Sequence, residues 1–266
     1  MKLADAQIAV LAENMYQELE LWYPLMRLRE EGCNVVVVGP AEQTYASKLG
    51  YPVKPDLAIA DADPAAFDAV VIPGGFAPEN MRRHRAMIDF VRKVHDQGSL
   101  VAAVCHAGLV LASAGIARDR NLTCVALVKD DVIHAGGKYV DQAVVRDGNL
   151  ISSRLPSDLH LFCKEIVAYL RDAPRTATKP LDVSKPRVSA AYTHVAELSQ
   201  GPRGVASARS LGDRYPRRQA ERRCPGQARG PVRDFSGMER IRCAISSVQP
   251  RTQNRPGRRR GGPRCR

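Results

Sequence analysis

The chain has 266 residues, 44% of them hydrophobic, and a formal net charge of +12. At about 100–200 residues per domain this allows one large domain or two small ones. The charge is lopsided: residues 1–173 carry 18 Lys and Arg against 22 Asp and Glu, whereas residues 174–266 carry 22 against 6, which excludes one basic nucleic-acid-binding domain spanning the chain.

No apolar run approaches the roughly 18–20 residues of a transmembrane helix. The start, Met1 to Asp5, has no long apolar stretch and so does not resemble a signal peptide. A soluble cytoplasmic protein with no membrane association is expected. Seven cysteines, an odd number without a Cys-x-x-Cys pair, argue for free thiols rather than a disulfide framework.

In chain order, Gln7–Ala12 is a short apolar run that predicts a strand. Residues 17–31 place Leu21, Trp22, Leu25, Met26 and Leu28 near helical spacing and end at Gly32, a common helix stop. Asn34–Gly39, with four consecutive valines, predicts a fully buried parallel strand, as does Asp68–Pro73. Residues 81–97 predict a helix ending at Gly98, and Leu100–Val104 a third buried strand. Ala107–Ala114 reads as a short helix stopped by Gly115. Residues 144–153 predict a hairpin turning at Asp147-Gly148. Pro156–Arg171 predicts an amphipathic helix starting on proline. Alternation of buried strands and helices predicts an α/β domain over 1–173 with a mostly parallel sheet between helices.

Residues 174–266 hold ten of the 18 prolines, nine glycines, and 20 arginines against two lysines. Such a segment lacks the apolar periodicity to offset its chain entropy, which predicts a disordered tail. GC-rich DNA read out of frame gives the same composition. A genuine tail could bind nucleic acid non-specifically through its arginines.

Three stretches carry chemistry. In Leu100 to Gly108 a buried strand runs into Cys105 with Ala103, Ala107 and Gly108 around it. Small neighbours let the backbone bend sharply at a nucleophile. A following helix N-terminus would favour thiolate. The alternative is a buried, inert cysteine. His106 is adjacent and could act as a base. In Val70 to Glu79 a strand leads into Pro73-Gly74-Gly75. There backbone N–H groups can approach a substrate oxygen, or the glycines merely form a turn. Glu20, early in the first helix, could hydrogen-bond the sulfur if burial raised its pKa; alone, a helical glutamate is usually solvated. Cys33, Cys124 and Cys163 lie in apolar elements and are expected in the core. No metal cluster and no cofactor-binding fingerprint stands out.

Taken together, Glu20 to Pro24, Pro73 to Glu79, Ala103 to His106, Val145 to Asn149 and Ser153 to Leu159 occur in the order typical of the PfpI (ThiJ/PfpI) family. The chain resembles that family over roughly residues 6–171. The resemblance implies a flavodoxin-like sandwich of the class I glutamine-amidotransferase-like type, with Cys105 as elbow nucleophile. Glu20 would be the acid bonded to its thiolate, and His106 the base. Glu79 would reach His106 from a neighbouring subunit, which makes a homo-oligomer the expected active form. Gly74, Gly75 and Ala107 would form the oxyanion or substrate-binding loop. Three features depart from the pattern: Ala107-Gly108 replaces Gly-Pro after Cys-His, Gln17 stands where some relatives carry a second acid, and Phe76 stands where a polar or basic residue is common. The resemblance implies a cysteine-dependent enzyme without cofactor, acting on reactive carbonyls or glycated adducts in a glyoxalase or deglycase manner. An intracellular peptidase and a non-enzymatic redox-responsive stress protein or chaperone are the alternatives.

Overall fold

A computed structural model describes residues 1–181. Seven strands form the main sheet: β1 (Gln7–Leu11), β2 (Asn34–Gly39), β5 (Leu57–Ala58), β6 (Ala69–Ile72), β7 (Leu100–Val104), β10 (Val144–Asp147) and β11 (Leu150–Ser153). Two small ribbons pair β3 (Tyr45–Ala46) with β4 (Pro52–Val53), and β8 (Asn121–Leu122) with β9 (Lys138–Tyr139). The helices are α1 (Glu18–Glu30), α2 (Ala77–Met81), α3 (Arg85–Asp96), α4 (Gly108–Ala114), α5 (Lys129–His134) and α6 (Leu159–Asp172).

The main sheet runs in the order β10-β11-β7-β6-β1-β2-β5. All its neighbours are parallel except the β10–β11 hairpin. The chain first builds outward from β1 to β2 and β5, then returns to β1's other side for β6, β7 and β11. That reversal lies between β1 and β6, and open α/β sheets bind ligands outside the carboxyl ends of their strands at such a point. The predicted α/β architecture is the one observed.

The central strands are buried along their whole length. In β2 the four valines, Val35 to Val38, are each at most 5% exposed. Each contributes about 1.5–3 kcal/mol relative to an exposed side chain. Cys33, Cys124 and Cys163 are buried, as expected, and burial pushes their thiols up to about 11, 12 and 12. Among the described residues no helix is long and apolar enough to cross a membrane.

The helix predicted over 81–97 begins only at Arg85, as α3; Met81 instead closes the separate helix α2. The chain breaks between Met81 and Arg85; Met81 and Met87 both enter the core, and His84, extended at the junction, is held by buried Glu13 (Nε2 to Oε2, 3.0 Å). The helix predicted from Pro156 opens with a 3-10 turn before α6.

Hydrogen bonding runs beyond residue 173. The buried Asp68 carboxylate, at the amino end of β6, accepts from the backbone N–H groups of Gln7, Thr176 and Ala177 at 3.0, 2.9 and 2.8 Å. Gln7 bonds Lys179 and Leu181. Residues 174–181 are thus bonded to the sheet end opposite the Pro73-Gly74-Gly75 loop. The expected disordered tail from residue 182 onward lies outside the described residues. Asp68→Ala leaves three backbone donors without their acceptor and is expected to cost about 3 kcal/mol. The check is urea unfolding of the full chain, where an unchanged midpoint would contradict this anchoring role.

Candidate active site

Each strand that flanks the switch point delivers one part of the site. Beyond β1, α1 opens with Gln17 as its cap; the Gln17 side chain accepts the Glu20 N–H at 2.9 Å. Glu20 is thereby fixed in the first turn, fully buried. Its Oε2 accepts the Gly74 N–H at 2.8 Å, whereas its Oε1 is buried with no hydrogen-bond partner.

Beyond β6 come Gly74 and Gly75. A Cβ on Gly74 would lie 2.6 Å from both the Cys105 Cβ and Glu20 Oε2. Gly75 has φ of 74°, and a Cβ there would meet the Met15 carbonyl oxygen at 2.4 Å. Neither position has room for a side chain. The expectation that Gly74 donates to an oxyanion is corrected: its N–H is occupied by Glu20. Its function is to let nucleophile and carboxyl approach each other.

Beyond β7 the chain turns at Cys105, whose φ of 62° is unusual for any residue but glycine. Such a conformation costs about 1–2 kcal/mol and is characteristic of a nucleophile held on a sharp strand-to-helix turn. A 3-10 turn, Cys105–Ala107, leads into α4. The Cys105 sulfur accepts from the backbone N–H groups of Gly75 and His106 and sits beside the Glu20 carboxyl. Ala107 is fully buried behind the nucleophile.

Burial raises Glu20 to about 7, against the pull of the Gly74 N–H and the Cys105 side chain. Burial, then the charge on Glu20, push the Cys105 thiol up to about 12, with the two backbone donors pulling the other way. The backbone donors of the turn pull toward thiolate, and desolvation pulls against them. Two acids this close titrate as one coupled pair.

His106 Nδ1 lies 2.7 Å from Glu79 Oε1. Both belong to one chain, whereas the expectation placed Glu79 of a neighbouring subunit there. Glu79 stands in the first turn of α2, directly after the Gly74-Gly75 loop, and β6 and β7 are adjacent. That adjacency brings it to His106 within the chain. Glu79 Oε2 is buried and unpartnered. Phe76, 48% exposed, meets the His106 ring edge-to-face at 5.5 Å between centroids.

Lys48 was not legible as a site residue. Its Nζ lies 5.4 Å from the Phe76 ring centre, and its charge acts on Glu20. Glu18 holds the adjoining loop through the Ser47 hydroxyl and the Leu49 N–H. No motif marked Lys48, because its place depends on the small β3–β4 ribbon. Among the described residues no group of three or more metal-ligating side chains occurs.

The DJ-1/PfpI family pattern matches residues 6–169. The chain belongs to the DJ-1/PfpI family. It is 41% identical over 165 residues to a deglycase of Pyrococcus horikoshii, covering 62% of this chain and 99% of that one. It is 39% identical over 165 residues to the deglycase PfpI of Pyrococcus furiosus, with the same coverage. Among solved structures, Drosophila melanogaster DJ-1beta aligns with a TM-score of 0.60 at 28% identity, over 74% of this chain and 98% of that one. A two-domain protein of Anabaena variabilis, with DJ-1/ThiJ/PfpI-like and ferritin-like domains, aligns with a TM-score of 0.62 at 36% identity. That match spans 66% of this chain and only 52% of the Anabaena protein.

Raising Glu20 has a consequence for stability. Its folded pKa lies near 7, against 4.5 for the free group, so the folded state holds the extra proton between those values. Stability from this group is therefore greatest below about 4.5 and declines as pH rises toward 7. Glu20→Gln should flatten that decline. Unfolding free energies of both proteins at pH 5 and pH 8 check it, and equal pH dependence would contradict it.

Proposed function

We propose that this chain is a cysteine-dependent enzyme acting on reactive carbonyls or their glycation adducts, in the manner of a deglycase or glyoxalase. One observation carries the reading: a strained, partly exposed cysteine meets a buried, readily protonated carboxyl, with a His–Glu pair beside it. The deglycase names of relatives about 40% identical support the same class.

The resting pair would hold its shared proton on Glu20 and its negative charge on sulfur. Two backbone N–H groups face the sulfur, whereas the Glu20 carboxyl receives one, on Oε2, and none on Oε1. Charge is more stable where donors are already aimed at it. A proton on Oε1 would also satisfy that oxygen by donating to the thiolate.

For methylglyoxal, the Cys105 thiolate adds to the aldehyde carbon. An S–C bond forms, and the carbonyl π pair moves to oxygen and takes up a proton. His106 then removes the proton from that carbon and returns one to the neighbouring carbon, while Glu79 holds the imidazole in orientation. This leaves a thioester of lactate. Water attacks its carbonyl carbon, the C–S bond breaks, and lactate and thiolate are released. The net reaction is hydration with an internal redox exchange, so no external oxidant or reductant enters. Starting from an adduct, the C–N or C–S bond to the carrier breaks first: the hydroxyl oxygen reforms the aldehyde carbonyl, its proton passes to the departing amine or thiol, and the aldehyde then follows the same steps.

The test is lactate release from methylglyoxal and from its adduct with a free thiol. Cys105→Ser should lose activity by more than about a hundredfold, and His106→Ala by about 10²–10⁴-fold, the range for a positioned general base. Turnover that survives in Cys105→Ser would overturn the proposal.

A further inference from the structure

A groove of about 510 Å³ opens from Glu79, the residue bonded to His106, and runs along α2 and the start of α3. Arg82, Arg83, Arg85, Ile88 and Ser113 complete its lining. Three arginines on one groove beside a catalytic constellation exceed what solubility requires, and their hydrogen bonding is specific. Arg82 donates its Nε–H to the Ser113 hydroxyl at 2.8 Å. Arg85 donates its Nε–H to Asp89 at 3.0 Å. In both cases the inner nitrogen is fixed, and among the described residues the outer Nη pair has no hydrogen-bond partner. A guanidinium held by its stem presents a preorganised two-toothed fork, the geometry that matches carboxylate and phosphate oxygens. Among the described residues, Arg82 and Arg83 have no carboxylate within ion-pair distance, so their charge is unanswered. Buried Ile88 supplies an apolar wall beneath them.

We propose that this groove is the subsite for an anionic group on the substrate, so that the enzyme selects carbonyl adducts bearing a carboxylate or phosphate. The proposal rests on the carbonyl-adduct reading above. It adds that the aldehyde-derived carbon lies at Cys105 while the carrier molecule extends past Glu79 into the arginines. Arg83 and Arg82 are the specificity-determining residues. Glu79 Oε1 is engaged by His106 Nδ1 at 2.7 Å.

The test compares matched pairs of substrates. Methylglyoxal adducts of N-acetylcysteine and of its uncharged amide differ by one carboxylate; those of phosphopantetheine and pantetheine differ by one phosphate. The wild type should favour the charged member of at least one pair by about tenfold or more in kcat/KM, mainly through KM. Arg83→Gln and Arg82→Gln should collapse that ratio toward one. A wild type with no charge preference, or variants that lose activity on both members in parallel, would overturn the subsite. Carboxylate and phosphate are told apart by which pair shows the preference. A binding measurement separates this claim from the catalytic one. Titration with inorganic phosphate should shift the Nε–H signals of Arg82 and Arg85 in the nuclear magnetic resonance spectrum, whether or not any adduct is turned over. Unmoved signals would overturn the subsite even in an active enzyme, and shifted signals in an inactive one would leave it standing while the carbonyl chemistry fell.

Discussion

One proton between Glu20 and Cys105 is the constraint on which the site depends. Neither group could sit here alone: a buried carboxylate without donors and a buried thiolate without a neighbour are both costly. Placed together at the switch point they titrate as one coupled pair, and the surrounding backbone donors bear on where the charge rests. Gly74 and Gly75 lack side chains because any Cβ would collide with the pair or with the chain segment before α1. The positive φ at Cys105 is the strain that brings the sulfur to its two N–H donors. The sheet order is what makes the arrangement possible, since β1, β6 and β7 each end at this point.

Much of the fold could be read from apolar runs. The valines of β2 and the apolar run of β7 have no other stable place than a doubly covered sheet, and those strands appear with the predicted ends. The break between α2 and α3 was hidden because Arg82, Arg83 and His84 carry no glycine or proline signal. It arises from packing, where two methionines six residues apart both need the core. The two-residue strands of the side ribbons are too short to show any periodicity. Residues 174–181 read as tail because their bonds run to Asp68 and Gln7, more than a hundred positions away.

The site was legible in part. Cys105, Glu20, His106 and Glu79 stand out by motif, and the structure brings the four together. That Glu79 meets His106 within the chain could not be deduced from spacing, because it depends on the direction α2 takes from the Gly74-Gly75 loop. Gly74 drew attention as a donor, whereas its importance lies in the absence of a side chain. Lys48 and the arginine groove carried no motif. Their placement follows from loops and helix ends that only tertiary packing defines. The order of effects on the thiol was also beyond the sequence, since helix and turn donors are visible in a motif but desolvation is not.

The most direct test of the shared proton is the ultraviolet absorbance of the Cys105 thiolate followed against pH, in the wild type and in Glu20→Leu, with Cys105→Ser as the blank. If the proton rests on Glu20 and the charge on sulfur, the wild type shows thiolate near neutral pH, and removing Glu20 moves the transition upward. If Glu20 instead stays ionised beside a protonated sulfur, the wild-type thiol ionises only in strong alkali and the transition falls when Glu20 is removed. That second result would contradict the account of the pair.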